Sequence, residues 1–278
     1  TGALAYRGAV ASSRRLRALI TNDDGIDSPG LWALADATRD AGFDVVVAAP
    51  HRDASGVGAS VFAVRGEDGV AVHPRELPGL DGVPAYAVEG HPSFIVYASG
   101  RGWLEPKPDL VVSGINLGAN VGRSVLHSGT VGAALTAGLQ GWYGLAVSLD
   151  TGWTPPEHPH WEAATAGLPE VFDLLLSRDP GTVLSYNAPD VDPAALRELR
   201  EAELAEFGTA QVVVEHREAG PGGATHGTLR SSLHEVGEQP SPTSDVGLLA
   251  AGHPTVTELR SVAAVPGVLG GVVVTSAH

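Results

Sequence analysis

Short apolar runs rich in β-branched residues recur along this chain, and each ends at a turn or breaker. LRALITN (16–22) and DVVVAAP (44–50) are the first two. Between them PGLWALADATRDAG (29–42) carries apolar residues at helical spacing, with Pro29 near its start and Gly42 at its stop. Strand, helix, strand in that order predicts a parallel pair joined by a right-handed crossover. VFAVRGEDGVAVHP (61–74) reads as a hairpin turning at EDG. VPAYAVEG (83–90) reads as a strand and HPSFIVYASGRG (91–102) as a helix. PDLVVSG (108–114), YGLAVSLD (143–150) and GTVLSYNAP (181–189) continue the strands. TVGAALTAGLQG (130–141) and WEAATAGLPEVFDLLLSR (161–178) continue the helices, the latter despite Pro169. The alternation predicts an α/β fold, a Rossmann-like, doubly wound, mostly parallel sheet with helices on both faces.

After about residue 190 the pattern weakens, interrupted by EAGPGGATHG (218–227) and GEQPSP (237–242). The expected organisation is a flexible leader over 1–15, a catalytic core over 16–190, and a C-terminal extension over 191–278. That extension reads as a hairpin arm or swapped segment packing on the core and on a partner subunit. The apolar last twenty residues fit the same packing role.

Composition narrows the function. With 43% apolar and 18% charged residues the chain is globular, and no apolar run reaches transmembrane length. A soluble, cytoplasmic protein with no membrane partner is the expectation. The chain has 0 cysteines, so any metal must sit on oxygen or imidazole, and oxygen donors favour Mg²⁺, Mn²⁺ or Ca²⁺. A formal net charge of −15 argues against nucleic-acid binding and requires a local positive element wherever an anion is bound.

Three loops at strand ends carry the chemistry. In LITNDDGIDSPGL (19–31) two adjacent carboxylates, Asp23 and Asp24, close the first strand. They either share a divalent cation or divide into a helix cap near Ser28 and a solvated side chain. APHRDASGVGAS (49–60) places Ser55, Gly56 and Gly58 in a tight loop, which by itself also suits an ordinary turn. SGINLGANVGRSVLHSGTVGAA (113–134) offers Asn116 and Asn120, and then Ser128, Gly129 and Thr130 at a helix start. There a helix cap and an anion cradle use the same donors.

TNDDGIDSPG, APHRDASG and VVSGINLGANVG…SGTVGAA, in this order and spacing, closely resemble the SurE (survival protein E) family of metal-dependent phosphatases acting on nucleoside monophosphates. The match spans about residues 17 to 150, with a fainter echo at PTSDVGLLAAGHPTVTEL (242–259). The resemblance implies a Rossmann-like core with a C-terminal extension used in homodimer or homotetramer assembly. It also implies one divalent cation per subunit, Mg²⁺ or Mn²⁺, held by Asp23, Asp24, Ser55 and Asn116. Asn120, Ser128, Gly129 and Thr130 match the positions around the substrate phosphate. Asp23, Asp24, Asn120 and Ser128 are the expected catalytic set.

The chain departs from the family at His51, where an acidic residue is usual, at Gly90-His91-Pro92, where Gly-Thr-Pro is usual, and at His127, usually aromatic. These substitutions read either as drift in exposed loops or as an altered substrate pocket. HPH at 158–160 has chelate-like spacing but sits in a Pro-rich loop.

The expected reaction is hydrolysis of a small phosphomonoester to alcohol and inorganic phosphate, by water or by direct attack of Asp23. The DDG pair lacks the DxDxT spacing of aspartyl-phosphate phosphatases, which favours water. The alternatives are a phosphatase for a non-nucleotide ester such as a sugar or secondary-metabolite phosphate, a nucleotide-sugar transferase, and a non-catalytic nucleotide-binding protein.

Overall fold

The computed structural model describes residues 14–61, 69–152, 154–206, 210–217, 228–235, 240–260 and 262. In chain order the elements are β1 (Arg17–Thr21), α1 (Pro29–Asp40), β2 (Asp44–Pro50), β3 (Val72–Arg75), β4 (Ala85–Val88) and α2 (Pro92–Ala98). Then come β5 (Leu110–Leu117), α3 (Gly129–Leu139), β6 (Tyr143–Asp150), α4 (Trp161–Ala166), α5 (Leu168–Leu176) and β7 (Val183–Pro189). The chain continues with β8 (Arg200–Glu201), β9 (Ala210–Arg217), β10 (Thr228–Glu235), α6 (Asp245–Ala250) and β11 (Thr255–Leu259).

Nine strands form one sheet in the order β3-β4-β2-β1-β5-β6-β7-β11-β8. β4, β2, β1, β5, β6 and β7 are mutually parallel. β3 pairs antiparallel with β4, and β11 antiparallel with β7. The Rossmann-like sheet predicted from the strand–helix alternation is therefore present. Its chain order runs outward from β1 in both directions, which puts a topological switch point between β1 and β5.

Two apolar layers sandwich the sheet. Ile20, Val47, Val112 and Leu149 pack with Leu34 of α1, Ala163 of α4 and Phe172 of α5 on one face. Leu19, Val46 and Val111 pack with Ile95 of α2 and Ala133 of α3 on the other. α3 lies close to β6 because its seat is glycine: a Cβ at Gly144 would sit 2.3 Å from the Ala134 carbonyl oxygen.

Some elements differ from the sequence reading. The helix expected over 161–178 is two helices, because Pro169 falls at the start of α5 and Gly167 separates it from α4. The hairpin expected at 61–74 depends on residues 62–68, which lie outside the described residues; its second half is β3, paired with β4. β9 and β10 form a separate antiparallel two-stranded sheet within the extension. β8 and β11, from the same extension, join the main sheet beside β7. Most of the last twenty residues lie outside the described residues.

One irregularity matters for function. β5 and β6 run in register through Ser113 opposite Ala146, then resume with Asn116 opposite Ser148, so β5 holds one extra residue. Without it Asn116 would face Leu149, whose side chain belongs to the α1 layer. The bulge turns Asn116 to the α3 side instead. Gly114 permits it, since a Cβ there would lie 2.1 Å from the Val147 carbonyl oxygen.

Candidate metal and phosphate site

The loop after β1 is closed by its own side chain. Asn22, fully buried, accepts the Gly25 N–H at its Oδ1 and donates Nδ2 to the Gly25 carbonyl, both at 3.1 Å. This fixes Asp23 and Asp24 at the sheet rim. Neither caps α1: the N-cap is Ser28, which makes no side-chain capping bond. The cap-and-solvent reading of the Asp pair therefore fails.

Asp23 is 3% exposed, and its Oδ1 accepts the Thr130 hydroxyl. The same hydroxyl oxygen lies 3.2 Å from Asn116 Oδ1. Asn116 donates its Nδ2 to the Gly118 carbonyl at 2.8 Å, which leaves Oδ1 turned towards Thr130. Burial raises the Asp23 pKa, opposed by the Thr130 hydroxyl and the main-chain N–H groups of Thr130 and Gly129. The first turn of α3 thus points its donors at Asp23. Gly129 is packed against that carboxylate; a Cβ would stand 2.7 Å from Asp23 Oδ2.

Asp24 is pushed up to about 7 by burial first, then by the negative charges of Asp23 and Asp53. Its Oδ2 is buried without a hydrogen-bond partner. Two neighbouring carboxylates, one with an orphaned oxygen, beside an amide oxygen and a hydroxyl, make a hard-oxygen donor set that a divalent cation fits. Among the described residues no group of three or more His, Cys, Asp or Glu could hold a metal, so such an ion would rest on two carboxylates and neutral oxygens.

The loop after β2 reaches this rim through main chain. Ala54 donates to the Asp23 carbonyl at 2.8 Å and Ile26 to the Pro50 carbonyl at 2.8 Å. Ser55 is exposed; its N–H is held by Asp53 Oδ1 at 2.7 Å, and its hydroxyl makes no hydrogen bond within the described residues. Asp23, Asn116, Gly129 and Thr130 are therefore in contact, with Asp24 alongside. Ser55 arrives one residue beyond a direct tether to Asp23.

On the other side, Ser128 caps α3, its Oγ accepting the Val131 N–H at 3.1 Å. Asn120 donates Nδ2 to Ser148 Oγ at 2.9 Å. The three histidines separate. His51 and His91 line one cavity of about 680 Å³ that opens beside Ser55. His127 is exposed, and its carbonyl accepts the Gly58 N–H at 3.2 Å. In the HPH segment His158 is exposed, while His160 Nδ1 lies 2.9 Å from Asp190 Oδ1.

Four residues that shape the site escaped the sequence reading: Asn22, Ser148, Asn187 and Asp245. Asp245 is 1% exposed and accepts the N–H groups of Gly122 at 2.7 Å and Ala205 at 3.0 Å, tying the loop after β5 to the C-terminal segment. The echo at 242–259 was its only signal.

A doubly wound sheet with an acidic, oxygen-lined cradle at its switch point defines a class of α/β protein that handles charged ligands at its strand ends. The profile described as Survival protein SurE matches residues 18–212, and the chain belongs to the SurE family. It is 39% identical over 179 residues to a "5'-nucleotidase SurE" of Xanthomonas campestris pv. campestris, covering 63% of this chain and 64% of that one. It is 39% identical over 192 residues to a protein of the same name from Dehalococcoides mccartyi, covering 68% and 70%. The chain thus spans slightly less than two thirds of the length of the Xanthomonas relative. The crystal structure of the SurE protein from Aquifex aeolicus superposes with a TM-score of 0.69 at 28% identity, covering 88% of this chain and 93% of that one.

Proposed function

We propose that the protein is a divalent-metal-dependent phosphomonoesterase acting on nucleoside monophosphates. The observation that carries this reading is the meeting of Asp23 and Asn116 at Thr130, next to Asp24, whose Oδ2 is buried and unpartnered. The relatives named 5'-nucleotidase support the substrate class.

Asp23, Asp24, Ser55 and Asn116 would hold the ion, Mg²⁺ or Mn²⁺. When bound it supplies Lewis acidity towards a phosphate oxygen and neutralises the two carboxylates. The remaining work falls to the chain. Asn120 has a second amide N–H to give a non-bridging oxygen, and Ser128 keeps its own O–H to donate while its lone pair caps α3. Thr130 and Gly129 also hold Asp23. The Thr130 hydroxyl engages Asp23 Oδ1; water is proposed as the nucleophile because the DDG pair lacks the DxDxT spacing of aspartyl-phosphate phosphatases. The cavity lined by His51, Ser55, Val57 and His91 has room for a leaving group of nucleoside size. β9 and β10, set apart from the main sheet, support a role of the extension in a homodimer or homotetramer.

Inorganic phosphate release from nucleoside monophosphates with Mg²⁺ or Mn²⁺ tests the reading. EDTA should abolish it, and Asp23→Asn should lower it by about 100-fold. Undiminished release in EDTA would overturn the metal, and a trapped aspartyl phosphate would overturn water as nucleophile.

A further inference from the structure

Asn187 and Ser148 stand near the carboxyl ends of β7 and β6, 3% and 1% exposed. They are neighbours across the sheet, and Ser148 is in turn opposite Asn116, so the three occupy one cross-strand row. A buried amide is unfavourable unless its groups are bonded. Asn187 directs both ends of its amide at one residue: Oδ1 accepts the Asn120 N–H at 2.8 Å, and Nδ2 donates to the Asn120 carbonyl at 3.1 Å. A neighbouring strand would offer the same pair of bonds, yet Asn120 lies beyond the end of β5. Ser148 Oγ then accepts Asn120 Nδ2 and sets the rotation of its amide. Main chain and side chain of Asn120 are thus both fixed from the sheet, while two residues later Gly122 is held separately by Asp245.

We propose that Asn187, assisted by Ser148, is a positioning residue for catalysis: it aims the Asn120 amide at the substrate phosphate. The row Asn116–Ser148–Asn187 then sets the spacing between the cation cage and the phosphate cradle. The proposal rests on the phosphatase reading above. A misplacement of about 1 Å at such a contact lowers turnover by as much as about 100-fold.

The experiment uses the full chain with saturating Mn²⁺ and compares wild type, Asn120→Ala, Asn187→Ala, Ser148→Ala and the Asn120→Ala/Asn187→Ala double variant. Asn187→Ala should lower kcat/KM by about 10- to 100-fold. Its Mn²⁺ affinity, measured by calorimetric titration, should stay within about twofold. In the Asn120→Ala background the same substitution should lower kcat/KM by no more than about twofold, because the residue it aims is already gone. Losses that multiply, or a wild-type kcat/KM in Asn187→Ala, would overturn the proposal. If Asn187→Ala does not fold, Ser148→Ala takes its place, with a smaller loss that must also vanish beside Asn120→Ala.

Hydrogen exchange separates this claim from the reaction itself. The Asn120 amide should exchange slowly in wild type and rapidly in Asn187→Ala, while Gly122 stays protected in both. A wild type inert towards every phosphomonoester would remove the functional reading and with it the catalytic role. A rapidly exchanging Asn120 amide in an active wild type would remove the clasp alone.

Discussion

Burial and two negative neighbours raise the Asp24 carboxyl from 3.8 to about 7. Between those values the native state keeps a proton that the unfolded chain has released. The native state is therefore favoured below pH 4 relative to pH 7, and stability falls as pH rises through that window. The upper limit of the effect is on the order of 4 kcal/mol, about three pKa units at 1.36 kcal/mol each. Asp23, also raised by burial, acts in the same direction. Urea unfolding in EDTA at pH 4 to 8 should show the fall, and the Asp24→Asn variant should show much less of it. Parallel pH profiles for the two proteins would mean that Asp24 is solvated in solution.

At the scale of elements, α3 meets the Ser55 loop through a glycine. A Cβ at Gly132 would stand 2.8 Å from main-chain atoms of Ala59 and Gly58. Gly132→Ala gains about 1 kcal/mol in helix propensity and loses about 1–3 kcal/mol to overpacking. The loop yields more readily than the helix, so stability should fall by no more than about 2 kcal/mol while Ser55 is displaced. Mn²⁺ affinity should drop by about tenfold, within the range seen when support of a metal ligand is lost. Calorimetric titration beside a melting curve checks both halves, and unchanged affinity would remove Ser55 from the ligand set. The β-branched runs made the strands legible, and the three loops made the rim legible, because both signals are local in sequence. The division of labour was not. Thr130 reads as a phosphate donor, and its bond to Asp23, 107 residues away, is not legible there. Asn187 reads as the end of a strand, and its role comes from Asn120, 67 residues away. The bulge that turns Asn116 towards α3 leaves only Gly114 as its mark in the sequence. Side-chain direction is set by tertiary partners, and a single sequence does not record them.

For the whole molecule, 32 acidic against 17 basic residues create a field that draws cations towards the rim and repels phosphate dianions. The proposed local devices, a bound cation and the donors of Asn120 and Ser128, would act only at short range. An approaching substrate therefore meets net repulsion first. Screening shortens that repulsion: the Debye length falls from about 30 Å at 0.01 M salt to about 8 Å at 0.15 M. With Mn²⁺ held saturating, so that salt does not act through metal loss, kcat/KM for a nucleoside monophosphate should rise about two- to tenfold between those salt concentrations. The change should sit mainly in KM, since screening acts on encounter and leaves the bound geometry alone. A fall with salt would show that the positive charge local to the site, including Arg52 on the cavity wall, outweighs the global field.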